Sequence, residues 1–142
     1  MEKAELKQKI YEVLKGRQLA SLATMKDGKP WVRYVTATGT EDLSLYVNTF
    51  AQSRKVGQIK ENPNVHVIVG GSMEEMNHAY LNVAATAEVL DDIETKETFW
   101  FDELKNYFSG PDDPNLVVLK MTPSVIELMS PGKVQPDVYQ VE

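Results

Sequence analysis

The dipeptide Asp27-Gly28 constrains the fold more than any other feature of the sequence. It joins two runs of β-compatible residues, 17–26 and 30–38, and Asp-Gly in this setting is the strongest short-range signal for a β-hairpin. A hairpin pairs its two strands in antiparallel fashion, so the first sheet that this chain builds is expected to be antiparallel. A doubly wound parallel sheet, which alternates strands with helices, is therefore disfavoured.

The rest of the pattern predicts a mainly β chain with flanking helices. Apolar residues at helical spacing predict helices over 3–15 and 53–61, and a longer helix that begins after Asp91 and stops at Gly110-Pro111. The tail from 131 to 142 is expected to be irregular. Further strands are expected over 43–48, 64–70, 79–90, 115–121 and 124–129, with a loop over 71–78. So many hairpin-connected strands favour a closed or nearly closed antiparallel β-barrel.

Size and composition bound the class of protein. At 142 residues we expect a single domain over 1–142, with enough apolar residues for a core. The absence of cysteine excludes disulfides, thiolate metal sites and a cysteine nucleophile. The amphipathic, charged N-terminus does not resemble a signal peptide, and no apolar run approaches the roughly 20 residues that span a bilayer. We therefore expect a cytoplasmic protein without a membrane partner, and the net charge of −6 argues against nucleic acid.

A phosphate-binding pattern lies where the third predicted strand leads into the helix that opens on Ser53-Arg54-Lys55. The first amides of a helix lack internal partners and carry partial positive charge, so they suit a phosphate group. Ser53 adds a hydroxyl and the two basic residues add charge, while hairpin pairing brings Arg33 nearby. Taken alone, the pattern favours the simpler interpretation of a surface helix that Ser53 caps and whose basic residues are solvated, because such helices are common.

The stretch from Trp31 to Pro63 resembles the phosphate-binding core of the pyridoxamine 5′-phosphate oxidase-like family of flavin mononucleotide (FMN) split barrels. The matching order is an arginine-bearing strand, an aromatic-rich strand that ends in a small polar residue, Ser-Arg-Lys, and then Asn-Pro. The resemblance covers nearly the whole chain, matches the short general-stress-protein branch closely, and implies an antiparallel split β-barrel. It continues through 65–69, 81–89, 99–100, 108–111 and 116–123.

The resemblance implies FMN as the cofactor and a homodimer, because the flavin sites of this family lie between subunits. Arg33 and Lys55 would contact the phosphate, the backbone of 34–36 would run along the isoalloxazine ring, and Val47 with Asn48 would flank the ribityl–phosphate region. Thr49 is an alternative at that last position. The implied cofactor-binding residues are Arg33, Tyr34, Val35, Thr36, Val47, Asn48, Thr49, Ser53, Arg54 and Lys55.

Two departures from the family argue against oxidation of pyridoxamine phosphate itself. Tyr80 stands where the oxidases carry a glutamine, and the tail after Leu128 lacks the tryptophan and arginine of their C-terminal extension. Three functions remain open. They are an FMN-dependent oxidoreductase of unknown substrate with a reduced nicotinamide as donor, a non-catalytic flavin-binding or flavin-storing stress protein, and the same fold with haem or a deazaflavin.

The sequence offers no paired catalytic groups, and we identify no catalytic residue and expect no metal site. His66 and His78 are too far apart to form a helical metal pair. The absence of an acid–base constellation fits flavin chemistry, because the cofactor itself transfers the hydride or electron. The five aromatic residues of 99–108 exceed what one helical stripe can bury, so we expect Trp100 or its helix near the dimer interface.

Overall fold

The computed structural model describes residues 1–71 and 78–142, so most of the predicted loop over 71–78 lies outside the described residues. No helix in these two ranges is long and apolar enough to cross a membrane. The elements follow in the order α1 (Lys3–Leu14), β1 (Gly16–Lys26), β2 (Lys29–Gly39), β3 (Leu45–Phe50), α2 (Arg54–Glu61), β4 (Asn64–Gly70), β5 (Tyr80–Leu90), α3 (Ile93–Thr98), a 3₁₀ turn (Asp102–Asn106), β6 (Leu116–Met129) and β7 (Asp137–Gln140).

The strands form the closed antiparallel barrel that the sequence predicts. Their order is β3-β2-β1-β4-β5-β6-β7, and β3 also pairs with β6, which closes β1 to β6 into a six-stranded barrel. The β1–β2 hairpin is paired from Gly16↔Gly39 to Lys26↔Lys29. Its turn residues, Asp27 and Gly28, both have positive φ, at 53° and 74°. These values fit the primed turns that match the twist of a hairpin.

The core fills the barrel and extends beneath α1. Alternate residues of each strand point inward, and Leu22, Val67 and Leu119 are fully buried there. Ile10 and Leu14 of α1 are also fully buried and join the same cluster. This burial holds the barrel closed and fixes the two strands, β2 and β3, that carry most of the predicted cofactor-binding residues.

Two predictions about the C-terminal half are wrong. The strands expected on either side of Thr122-Pro123 are one strand, β6, because Pro123 lies opposite a register shift between Ala84 and Ala85 of β5. A proline can occupy such an irregularity, since the missing amide interrupts no regular ladder there. The tail after residue 130 is also not wholly irregular, because β7 pairs with residues 125–128 of β6.

The prediction of one long helix after Asp91 is also wrong. α3 ends at Thr98, and the chain resumes as a short 3₁₀ turn four residues later. Phe99, the residue directly after α3, stacks on Tyr46 of β3 with ring centroids 3.9 Å apart. Leu104 and Phe108 instead pack on Leu116 in a second, smaller core cluster. Tertiary packing of the aromatic residues thus overrides the local helical pattern.

Candidate functional site

A cleft of about 400 Å³ opens where β2 and β3 diverge. The two strands pair only at Thr38↔Tyr46 and Gly39↔Leu45. Beyond these pairs, residues 34–36 of β2 and 47–49 of β3 line the cleft from its two sides without pairing to each other. Backbone amides and carbonyls along these edges are therefore available to a ligand. The lining consists of Tyr34, Val35, Thr36, Val47, Asn48, Thr49, Phe50, Lys55, Phe101, Glu103, Leu104, Tyr107 and Phe108.

Asn48 supplies a donor that lacks an acceptor in the cleft wall. Among residues 1–71 and 78–142, its Nδ2 is the one buried side-chain polar atom without a hydrogen-bond partner. An unsatisfied buried donor costs on the order of 1–3 kcal/mol, so such atoms often mark where a ligand binds. Asn48 is also one of the cofactor-binding residues predicted from the sequence, and its free donor points to a ligand with a hydrogen-bond acceptor near β3.

Three cations beside α2 lie close enough to repel one another. Lys55 is half-buried in the cleft wall, while Arg33 and Arg54 line a separate hollow of about 100 Å³. Burial lowers the pKa of Lys55, and the charges of Arg33 and Arg54 lower it further. Burial and the charge of Arg54 likewise lower the pKa of Arg33. In the described part of the chain no carboxylate pairs with these cations, so a bound anion would relieve their repulsion.

Ser53 takes the predicted N-cap position of α2, but it does not cap the helix. Its side chain forms no hydrogen bond to the first amides of α2. Its Oγ instead accepts a hydrogen bond from Oγ1 of Thr49 at 3.4 Å. The amide of Val56 donates to the carbonyl oxygen of Ser53 at 3.2 Å, which leaves the amides of Arg54 and Lys55 for another acceptor such as a phosphate. Ser53 lines neither the cleft nor the hollow.

The aromatic wall of the cleft, formed by Phe50, Phe101, Tyr107 and Phe108, was missed by sequence reasoning. Phe50 packs on Phe108 with ring centroids 4.6 Å apart and meets Tyr107 edge to face at 6.3 Å. Phe101 lies beneath the guanidinium of Arg17 at 4.0 Å. Such faces suit a planar, apolar ring. The signal in the sequence was the aromatic surplus of 99–108, which we assigned to packing or to a dimer interface.

Thr24 and Gln58 are two further polar residues that sequence reasoning missed. Thr24 is buried on β1 and Gln58 lies on α2, one helical turn after Arg54, and both hydrogen-bond to Arg33. A signal existed for Thr24, because it occupies the inward position that follows Ala20 and Leu22 in the alternating pattern of β1. A polar residue at an inward position normally has a partner.

Comparisons of sequence and of structure relate this chain to the same group of known proteins. A sequence profile of the family described as Pyridoxamine 5′-phosphate oxidase matches residues 6–130. General stress protein 26 of Bacillus subtilis (strain 168) is 38% identical over 136 residues, which are 96% of either chain. The crystal structure of General Stress Protein 26 from Bacillus anthracis superposes with a TM-score of 0.83 at 31% identity, and the match covers 96% of this chain and 98% of that one.

More distant solved structures share the fold alone. A haem binding protein from Mycobacterium smegmatis matches with a TM-score of 0.72 at 16% identity, over 99% of this chain and 58% of that chain. An F420 reductase matches with a TM-score of 0.64 at 22% identity, over 82% of this chain and 94% of that chain. The same barrel thus occurs in proteins with different ligands, and the choice of ligand must be argued from the cleft.

Proposed function

This chain belongs to the pyridoxamine 5′-phosphate oxidase family, and we propose that it binds FMN in the cleft between β2 and β3. The observation that carries the proposal is the group of three cations beside α2, since Arg33, Arg54 and Lys55 repel one another and form no salt bridge with a carboxylate of the described residues. A phosphate monoester matches this charge. The aromatic side chains that line the cleft and the unpaired strand edges match a planar ring with a polar rim.

The residues present fit FMN along its whole length. The cations and the first turn of α2 would hold the phosphate, and Nδ2 of Asn48 would donate to an acceptor of the ligand. The unpaired backbone of 34–36 would orient the ring. The cleft volume of about 400 Å³ also lies within the roughly 300–1,000 Å³ usual for small-molecule sites.

We further propose an FMN-dependent oxidoreductase that takes electrons from a reduced nicotinamide. Bound flavin supplies the hydride or electron transfer itself, so the protein needs no acid–base pair of its own. The rival is a flavin-binding stress protein without turnover, which the similarity to General stress protein 26 leaves standing. Haem is less well supported, because the described residues that line the cleft include no histidine or methionine, which are common axial ligands.

The absorption spectrum separates these functions. We expect the purified protein to carry or take up FMN and to show a flavin spectrum. Anaerobic addition of a reduced nicotinamide is then expected to reduce the bound flavin, which is measured as a loss of flavin absorbance. If the bound flavin stays oxidised, flavin storage is favoured over catalysis. A Soret band in place of the flavin spectrum would indicate that the protein binds haem and not FMN.

The lowered pKa of Lys55 predicts a pH dependence of FMN binding. An anion favours the charged form of a lysine, so bound phosphate is expected to raise this pKa back toward 10.5. Between the lowered and the restored value, FMN binding would take up a proton at Lys55, and affinity would fall as the pH rises. The phosphate, with a second pKa of about 6, is already fully ionised there. Calorimetry in alkaline buffers of different ionisation enthalpy measures this uptake, which Lys55→Met should abolish.

We propose that the protein is a homodimer that buries the outer face of β1, β2 and β4. These strands are neighbours in the sheet, and large apolar side chains project from them into solvent. Leu19 is 63% exposed, Tyr34 75% and Ile68 44%. Such a patch on one chain commonly marks a protein–protein contact. Since Tyr34 also lines the cleft, the second subunit would lie next to the FMN site. Trp100, in contrast, packs against the second core cluster of its own chain.

Light scattering of the FMN-bound protein tests the dimer. We expect the mass of two chains for the unaltered protein and the mass of one chain for Ile68→Lys, because a charge would be buried without a partner. Lys60→Ala, which alters an exposed position on α2, serves as the control and should remain dimeric. A monomer mass for the unaltered protein would contradict this proposal.

A further inference from the structure

Arg33 is held by two neutral side chains that belong to other elements. Oγ1 of Thr24, a residue of β1 that is 1% exposed, accepts a hydrogen bond from Nη1 of Arg33 at 2.7 Å. Oε1 of Gln58, on α2, accepts from Nη2 of Arg33 at 2.9 Å. The hydroxyl of Thr24 donates to the same Oε1. The three side chains form a closed triangle of hydrogen bonds that ties β1, β2 and α2 together.

The orientation of each group in this triangle is fixed by its neighbours. Gln58 must present its carbonyl oxygen, because both neighbours donate to it. Thr24 gives its single hydroxyl hydrogen to Gln58, so it can only accept from Arg33. Nη1 of Arg33 also donates to the carbonyl oxygens of Leu22 at 3.1 Å and Trp31 at 3.2 Å.

One edge of the Arg33 guanidinium therefore faces the protein and the other edge does not. Nη1 and one hydrogen of Nη2 are used by the triangle and the two carbonyls. The Nε–H and the second Nη2–H have no acceptor within residues 1–71 and 78–142. These two donors form the side-on fork with which a guanidinium binds two oxygens of one phosphate.

We propose that Thr24 and Gln58 are positioning residues, which fix the plane of the Arg33 guanidinium so that its Nε–Nη2 edge receives the phosphate of FMN. This inference rests on the proposed function, in which Arg33 contacts that phosphate. Bidentate binding depends on the orientation of the plane, so holding it in advance avoids an ordering cost when the ligand binds. Without the triangle, only the two carbonyl oxygens at Nη1 would hold the guanidinium against repulsion from Arg54 and Lys55.

The chemistry of the two acceptors, Thr24 and Gln58, supports this role. A carboxylate in place of Gln58 would hold Arg33 at least as firmly, but it would also cancel the charge that attracts the anion. A threonine hydroxyl and a glutamine carbonyl orient the guanidinium and leave its full charge in place. A merely structural role would not require neutral acceptors, because a salt bridge would tie the three elements together as well.

The test compares the dissociation constants of riboflavin and FMN, whose ratio reports the contribution of the phosphate. Thr24→Val keeps the shape and loses the hydroxyl, and Gln58→Met keeps the length and loses the carbonyl. Each is expected to lower the ratio by about three- to tenfold, the effect of one typical hydrogen bond. The dissociation constant for riboflavin should stay unchanged. Thr24→Ser, which restores the hydroxyl, should restore the ratio, and in an Arg33→Ala background Thr24→Val should cause no further loss.

The outcomes separate this inference from the function on which it rests. If Arg33→Ala lowers the ratio while Thr24→Val and Gln58→Met weaken FMN and riboflavin equally, the positioning role is overturned and the proposed function stands. If Arg33→Ala leaves the ratio unchanged, the contact between Arg33 and the phosphate is overturned, and the positioning role falls with it. Should Thr24→Val fail to fold because the site is buried, Gln58→Met at its half-buried position on α2 carries the same test.

Discussion

Replacing Arg33 or Lys55 by alanine is expected to weaken FMN binding by roughly ten- to a hundredfold, since a hydrogen bond to a charged group contributes about 1.5–3 kcal/mol. The two side chains lie far apart in sequence, yet the β1–β2 hairpin and α2 bring Arg33 close enough to Lys55 to lower its pKa. Riboflavin, which lacks the phosphate, should bind these variants as it binds the unaltered protein. Fluorescence or calorimetric titration of both flavins measures the effect.

Lys60→Ala is the matched control for this experiment. Lys60 lies in the last turn of the same helix as Lys55 and is exposed, so its removal changes the net charge equally without touching the cleft. Lys96 would be a poor control, because it is only 5% exposed and its Nζ donates to the carbonyl oxygen of Asp113 at 2.9 Å. Unchanged FMN affinity in both Arg33→Ala and Lys55→Ala would remove these residues from the site.

Two glycine-to-alanine substitutions are expected to change the free energy of unfolding in opposite directions. A Cβ on Gly39 would overlap the backbone carbonyl of Leu14, where the end of α1 lies against β2. Backbone atoms must then shift, so Gly39→Ala should destabilise the protein by about 1–3 kcal/mol or more. Gly57 lies within α2 with open space around a Cβ, and alanine there should stabilise by about 0.5–1 kcal/mol.

Equilibrium urea unfolding at one fixed protein concentration measures both changes. Gly39 itself pairs with Leu45, next to Thr38↔Tyr46, and these two pairs join β2 to β3 at the closed end of the cleft. We therefore also expect Gly39→Ala to weaken FMN binding. Gly57→Ala should leave FMN binding unchanged. Stability changes of the same sign in the two variants would show that the packing of α1 against β2 has been misjudged.

Much of the barrel could be predicted from the sequence, because its signals are local. Asp27-Gly28 specifies a primed turn, and the alternation of apolar residues specifies which face of each strand is buried. Closure through β3 and β6 could not be derived in the same way, since it pairs residues about 70 positions apart by tertiary packing alone. The early separation of β2 from β3, which opens the cleft, has no local signal either.

The charged residues of the candidate site could be predicted from the sequence, and the aromatic residues could not. Ser53-Arg54-Lys55 and Arg33 carry chemistry that can be recognised in one dimension, and the structure brings the three cations together. The aromatic wall depends on Phe99 leaving the helix to stack on Tyr46, a contact between distant parts of the chain. Local periodicity predicts a continuous helix there, so the aromatic wall could not be predicted from the sequence pattern.

The most direct test of FMN binding at this cleft is a titration of the unaltered protein with FMN and with riboflavin under the same conditions. The two ligands share the ring and differ in the phosphate, so the ratio of their dissociation constants isolates the role of the three cations. We predict that FMN binds at least about tenfold more tightly, with the difference shrinking as salt is added. Equal affinities, or no binding of either flavin, would contradict the account.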